Sequence, residues 1–522
     1  MSQVPIKAPA FLLNDSSASW LARYGLALFF LVLVALYVWF LAPEGTGGYL
    51  LIFAAITGGY MAMNIGANDV ANNVGPAVGS RAMTLGGAIL LAGICEAAGA
   101  LIAGGEVVGT IKSGIIDPTV ITDQREFIWL MAGALLAGAL WLNLATWMGA
   151  PVSTTHSIVG GVLGAGLAAG GMAIANWPVM GAIVSSWVVS PVMGGLIAAG
   201  TLFVIKRTIT YRADMITAAR NAVPWLVALM AWAFGTYLIL KGISQIWRAS
   251  FVEATLIGLA IAGIVFWWTR RSITQKASTL ANTRESVNNL FTIPLIFAAG
   301  LLSFAHGAND VANAVGPLAA IYEAVSTGDI ATQAALPIWI LLVGGIGLAV
   351  GLALFGPKLI RTVGSEITEL DKSRAFCIAI AAAITVIIAS QLGLPVSSTH
   401  TALGGVFGVG FLREYLKNHY AGQLHNILDS HQGDERERLR EFLDDFRNAD
   451  VEDMRAMLKE AKKNKDEIPL KKSERRRLKN IYKEELVKRQ HLYRIIAAWV
   501  ITVPASATLA AMLFYMLRGM LI

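Results

Sequence analysis

The stretch GANDVANNVGP, residues 66–76, sits in one of the most apolar parts of the chain and returns as GANDVANAVGP at residues 307–317. An ionised Asp inside a membrane costs ~2.5 to 3.5 kcal/mol on insertion scales. Meeting that cost at both Asp69 and Asp310 argues for a functional placement. A second motif behaves in the same way, as PVSTTH at 151–156 and PVSSTH at 395–400. The two motifs recur in the same order at offsets of 241 and 244 residues, so the chain consists of two repeats. A third pair, WVVSPVMGGLIAAGTLF from Trp187 and WVITVPASATLAAMLFY from Trp499, is offset by 312 because a polar insertion intervenes.

Bulk composition sets the class. The 522 residues are 56% hydrophobic and only 14% charged, with 52 glycines, and the mean hydropathy is +0.61. A soluble domain carries about 25% charged residues, so this is an all-α polytopic membrane protein. Apolar segments of about 17 to 25 residues span a bilayer. They fall near 22–42, 48–65, 83–104, 127–149, 152–172, 178–205, 223–242, 251–269, 290–305, 335–356, 374–392, 396–412 and 493–519. Some of these thirteen are half-helices or re-entrant hairpins, giving about 12–13 transmembrane segments. The first is too long for the apolar core of a cleaved signal and reads as a retained anchor. Cys95 and Cys377 both lie in apolar segments and do not form a disulfide framework.

The net charge of +7 does not indicate nucleic acid, because 21 of the 41 Lys and Arg lie between Arg413 and Arg494 beside 17 acidic residues. Within that insertion ERERLREFLDDF and VEDMRAMLKEAKK place apolar residues at helical spacing among alternating charges, predicting amphipathic helices. The basic run KKSERRRLKNIYKEELVKR suits an anionic lipid surface. The chain therefore divides into a tail with an extra anchor (1–46), a first repeat (47–207), two linking helices with basic loops (208–289), the main part of a second repeat (290–412), a cytoplasmic helical insertion (413–492) and a last helix (493–522).

Five segments per repeat, separated by two, start the second repeat from the opposite face, so the repeats are inverted in topology. The basic loops containing Lys206, Arg207, Arg212 and Arg220, then Arg270, Arg271, Lys276 and Arg284, lie two crossings apart and are both cytoplasmic on the positive-inside rule. The amino terminus is then inside and the carboxyl terminus outside.

On a helix, Asn68, Asp69 and Asn72 share one face, as do Asn309, Asp310 and Asn313. Gly66 and Gly75-Pro76 mark places where a membrane helix can break and free carbonyls beside the carboxylate. Such oxygens suit a hard cation, with Na⁺ expected at Asp69, Asn72, Asp310 and Asn313. Pro151 and Pro395 suit the first position of a helix. Ser153, Thr154 and Thr155, with Ser397, Ser398 and Thr399, then offer hydroxyls and unpaired N–H groups at a positive helix end that attracts a tetrahedral oxyanion. His156 and His400 read as neutral residues bonding across helices. His306 has Ile65 as its counterpart, leaving a proton or substrate role. Glu96 is a lone carboxylate in an apolar segment and a functional candidate. Thr110 and Thr362 form a further repeat pair, assigned with the anion set.

The duplicated GANDVAN, the PVSTTH/PVSSTH pair and GTIKSGIID from Gly109 resemble the inorganic phosphate transporter family of sodium- or proton-coupled symporters, over about 48–412 and 493–519. The resemblance implies an inverted-repeat fold, import of inorganic phosphate, essential Asp69 and Asp310, cation-site Asn68, Asn72, Asn309 and Asn313, phosphate at the Ser/Thr sets, and an important acid at Glu96. Some members carry a second membrane Glu in the later half, where Ala379 stands here. The coupling ion, Na⁺ or H⁺, stays open, as do sulfate and metal-phosphate as cargo, an anion channel, and a homodimer. No resident cofactor is expected. A hydrolase using Ser153 and His156 is disfavoured, since neither G-x-S-x-G nor H-E-x-x-H occurs and duplication is superfluous for one catalytic centre. The expected location is the cell's inner membrane.

Overall fold

The computed structural model describes residues 17–121, 123–148, 152–242, 247, 249–328, 336–366, 370–418, 428, 431, 433–448, 451–463, 468, 470–471, 474–475, 478 and 489–520. Helices dominate, and the β structure among the described residues is a single bridge between Ile116 and Ala175. In chain order the helices are α1 (Ser17–Leu41), α2 (Thr46–Gly79), α3 (Leu85–Ala103), α4 (Gly105–Gly109) continued by a π turn (Thr110–Gly114), α5 (Gln124–Trp147), α6 (Thr154–Gly170) and α7 (Trp177–Ile205). There follow α8 (Met215–Tyr237), α9 (Phe251–Ala277), α10 (Arg284–Leu290), α11 (Thr292–Thr327), α12 (Ile338–Glu366), α13 (Lys372–Gln391), α14 (Ser398–Asn418), α15 (Asp434–Asn448), α16 (Val451–Lys463) and α17 (Arg489–Met520).

Twelve helices among the described residues are long and apolar enough to cross a membrane. The thirteenth expected segment, 396–412, does form α14, but its polar first turn and its Arg413, Glu414 and Lys417 keep it out of that set. Burial separates inner from outer helices. The most apolar window of α11 is 83% buried and that of α2 is 72% buried, whereas those of α1 and α9 are 17% buried. The two helices that carry the repeated motif thus lie at the centre with α5 and α13, each also 72% buried, and large apolar side chains such as Phe40 and Trp39 of α1 face outward.

Close backbone approach fixes this centre. A Cβ added at Gly66 would overlap the carbonyl of Leu348 on α12, and one at Gly351 would overlap that of Met63 on α2. The other half repeats the arrangement: Gly307 meets the carbonyl of Glu96 on α3, and Gly99 meets that of Phe304 on α11. Each motif helix therefore seats against the second helix of the other half. Only glycine permits that spacing.

This corrects one expectation. The helix does not break at Gly66 or at Gly75-Pro76, because α2 and α11 run unbroken through both motifs. Gly66 and Gly307 serve packing, and Pro76 and Pro317 lie inside the helices, where they offer no N–H to the carbonyls of Asn72 and Asn313 four residues earlier. The non-helical interruptions fall instead at Val152-Ser153 before α6 and at 392–397 before α14.

Cys95 and Cys377 are free thiols. The chain forms two compact units, Met1–Val406 with Gln490–Ile522, and Phe407–Arg489. In the second, α15 and α16 form where amphipathic helices were expected, and they bury Leu439, Phe442, Leu443, Phe446, Leu458 and Ala461 in one core. Most of the basic run 471–489 lies outside the described residues.

Candidate ion and anion site

The first turns of α6 and α14 are built alike. The Ser153 hydroxyl accepts from the His156 N–H at 3.1 Å, and the Ser397 hydroxyl accepts from the His400 N–H at 3.2 Å. Ser157 and Thr401 donate back to the carbonyls of Ser153 and Ser397 at 3.0 and 2.9 Å. Ser153 and Ser397 are thus N-caps, the role for which a short hydroxyl side chain is suited. Pro395 lies in the extended segment, three residues ahead of α14, rather than at its first helical position. Pro151 lies outside the described residues.

That extended segment is tied down carbonyl by carbonyl. Thr110 Oγ1 donates to Gly393 O at 2.6 Å, Asn309 Nδ2 to Leu394 O at 3.2 Å, Trp187 Nε1 to Pro395 O at 3.2 Å and Thr155 Oγ1 to Val396 O at 3.0 Å. Asn309 Oδ1 accepts from Val396 N at 3.3 Å. Buried backbone polar groups need partners, and here side chains from four other helical segments supply them. Gly393 has φ +65°, a conformation that favours glycine at the turn into this stretch.

With the caps occupied by Ser153 and Ser397, the next residues reach the motif helices. Asp69 accepts from Thr154 Oγ1 at 3.1 Å and from Thr399 Oγ1 at 3.0 Å. Asn72 Nδ2 donates to Thr399 Oγ1 at 2.9 Å. On α11, Asp310 accepts from Ser398 Oγ at 3.0 Å, and Asn313 Nδ2 lies 3.1 Å from Thr155 Oγ1 and 3.4 Å from Thr154 Oγ1. Thr399 therefore serves the first copy and Thr155 the second, so the halves interleave. Asn68 Nδ2 donates to Thr146 Oγ1 at 3.0 Å and Asn309 Nδ2 to Ser390 Oγ at 2.9 Å. Thr146 and Ser390 are 244 residues apart, the offset of the PVSTTH pair, a signal that could have found both.

His306 stands in the middle. Its Nε2 is 3.0 Å from Asp310 Oδ2 and 3.6 Å from Asp69 Oδ2, and its Nδ1 is 3.1 Å from Glu96 Oε1. Asn73 Nδ2 donates to that same Glu96 oxygen at 2.8 Å. Asn73 escaped the sequence reading although it is the one mismatch, against Ala314, within the repeated eleven residues. Ligand atoms of Asp69, His306 and Asp310 all lie within 4.8 Å of one another, close enough to share a metal ion.

The electrostatics are lopsided. Asp69, Glu96 and Asp310 are buried, while no Lys or Arg is buried among the described residues. Asn68 Oδ1, Asn73 Oδ1, Glu96 Oε2, Asp310 Oδ1 and Asn313 Oδ1 are buried with no hydrogen-bond partner among the described residues. A cluster of unsatisfied oxygens is costly unless a donor or cation meets it. Hard cations such as Na⁺ take oxygen ligands of this kind.

The remaining expected residues divide. Thr110 spends its hydroxyl on Gly393 O and serves the segment before α14. The side chain of Thr362 lies outside the described residues. His156 and His400 meet ring to ring at 4.7 Å, with His156 also 3.8 Å from Trp187. Neither ring nitrogen of His156 has a hydrogen-bond partner among the described residues, so ring packing replaces the bond across helices that was expected there.

Residues 65–510 match the sequence profile of the phosphate transporter family. A protein of Helicobacter pylori strain J99 described as "Putative phosphate permease" is 53% identical over 502 residues, covering 94% of each chain. A protein of Haemophilus influenzae with the same description is 39% identical over 375 residues, 70% of this chain and 89% of that one. Among solved structures, one described as "The sodium-dependent phosphate transporter" superposes with a TM-score of 0.74 at 32% identity, over 91% of this chain and all of that one. With the family's profile spanning most of its length, this membrane-embedded chain is a member of the phosphate transporter family, a family of transporters and not of enzymes.

Proposed function

We propose that the protein is a symporter that moves inorganic phosphate and sodium together into the cell, with the Asp/Asn/Thr cluster between the halves as the shared site. The observation that carries this is the charge imbalance at the cluster, which holds the buried carboxylates Asp69, Glu96 and Asp310 and five unsatisfied oxygens, while no Lys or Arg is buried among the described residues. Phosphate approaching such a site meets hydroxyls, amides and helix N-termini, with no buried Lys or Arg among the described residues. Cations at Asp69, Asn72, Asp310 and Asn313, with Asn68 and Asn309 bracing them, would offset both charges. Thr154, Thr155, Ser398 and Thr399 would then hold phosphate at the ends of α6 and α14. The similar solved structure is of a sodium-dependent transporter, which favours the same ion here. A proton as coupling ion is the second reading, favoured by His306 between Asp69 and Asp310.

In this reading the halves are inverted repeats, and α2 and α11 form an axis about which access alternates. The amino terminus and 413–492 lie in the cytoplasm, and the carboxyl terminus lies outside. Net inward positive charge would gain ~2.3 kcal/mol per charge per 100 mV. Uptake of radiolabelled phosphate into proteoliposomes, under imposed sodium or proton gradients and with sulfate as competitor, tests the proposal. Concentrative uptake that follows the sodium gradient and ignores sulfate supports it. Flux that only equilibrates indicates a channel, and sulfate competition reassigns the cargo.

A further inference from the structure

Three polar side chains at this site lack polar counterparts in the other half, and the structure joins all three. The offset of 241 pairs His306 with Ile65 and Asn73 with Ala314. Packing supplies the third pair. Gly307 seats on the carbonyl of Glu96 where Gly66 seats on that of Leu348, so Leu348 takes the place of Glu96. The relation is repeated by Gly99 on Phe304 and Gly351 on Met63, at the same offset of 252 between the second helices. The apolar side has Ile65, Leu348 and Ala314. The polar side has a chain of contacts from Asn73 Nδ2 to Glu96 Oε1 at 2.8 Å, from Glu96 Oε1 to His306 Nδ1 at 3.1 Å, and from His306 Nε2 to Asp310 at 3.0 Å and Asp69 at 3.6 Å.

Neither ring nitrogen of His306 has a partner in hydrogen-bond geometry among the described residues, so its place is set by the carboxylates on either side, Glu96 at Nδ1 and Asp310 and Asp69 at Nε2. Glu96 has three rotatable bonds, and the Asn73 amide is the group that fixes which oxygen faces His306. We propose that Asn73 is a positioning residue for transport, acting through Glu96 to hold His306 between Asp69 and Asp310 and thereby making the two halves of the site chemically unequal, a role that rests on the symport reading above.

Asn73→Asp tests this while keeping the side-chain size. It removes the donor and sets a second carboxylate against Glu96. The half-saturating sodium concentration for phosphate uptake should rise about tenfold or more, the scale of a lost hydrogen bond to a charged group. The double variant Asn73→Asp with Glu96→Gln reverses donor and acceptor at unchanged total charge and should recover much of the loss. Sodium-dependent thermal stabilisation of the detergent-solubilised protein with inorganic phosphate present reads the same geometry without transport. A shift in half-saturating sodium that the double variant relieves supports the role. An Asn73→Asp protein within about threefold of the unmodified one overturns it, as does a double variant no better than the single one. If the unmodified protein shows no gradient-driven uptake, the symport reading fails alone, and Asn73 is still judged by the sodium midpoint of the thermal shift.

Discussion

The helices α2 and α11 carry the same seven residues, GANDVAN, in different surroundings. Asp69 on α2 accepts two hydroxyl bonds, one from each half, through Thr154 and Thr399. Asp310 on α11 accepts one from Ser398, faces His306, and leaves Oδ1 without a partner among the described residues. Duplication has thus repeated the scaffold while the chemistry diverged. The backbone seats match to the residue, because they depend on glycines retained in both copies. The polar partners differ, because they come from positions where the copies drifted apart or from the opposite half.

The largest effects should fall on the two carboxylates. Asp69→Asn and Asp310→Asn should each lower sodium-driven phosphate uptake by more than about 100-fold while leaving the protein in the membrane, since each removes a carboxylate from the proposed shared site. If only one of them did so, the sites would be unequal in kind and not merely in partners. Next come Gly66→Ala and Gly307→Ala, where the added methyl meets a backbone carbonyl in both halves. Overpacking of this sort costs about 1–3 kcal/mol or more, and both variants should show lower melting temperatures in detergent by similar amounts. A large difference between them would show that the scaffold, too, has diverged.

Hydroxyl removal gives smaller and graded effects. Thr399→Val loses contacts to both Asp69 and Asn72 and should lower uptake about tenfold. Thr155→Val, which touches Val396 O and Asn313, should cost less, because its partner Asn313 keeps Thr154 within reach. Initial uptake rates at subsaturating phosphate would rank the two. The smallest change is expected from Thr110→Val, which frees one carbonyl at Gly393, worth about 1 kcal/mol. A slight fall in melting temperature with near-normal uptake would place Thr110 in the scaffold, and a collapse of phosphate affinity would return it to the anion set.

Much of this was legible in the sequence because membrane chemistry penalises polar residues heavily. Asp69, Asp310 and Glu96 stood out against apolar neighbours, and duplication identified the Ser/Thr helix ends. Gly66 misled, since a glycine in a membrane helix serves equally as a break or as a close contact, and only the partner helix decides between them. The exchange of partners, with Thr399 on Asp69 and Asn313 beside Thr155, was hidden for the same reason: pairs more than 150 residues apart leave no local periodicity. Asn73 was visible as a mismatch, but a mismatch acquires meaning only when Glu96 and His306 lie beside it.

In the proposed mechanism phosphate and cation share one site, each making the other's binding favourable. Calorimetric titration of phosphate into the purified protein, with and without sodium at constant ionic strength, addresses it most directly. Phosphate binding that is strong in sodium, at least about tenfold weaker without it, and lost in both Asp69→Asn and Asp310→Asn is the expected result. Equal affinity in the two salts, or binding that survives both substitutions, would contradict the shared site.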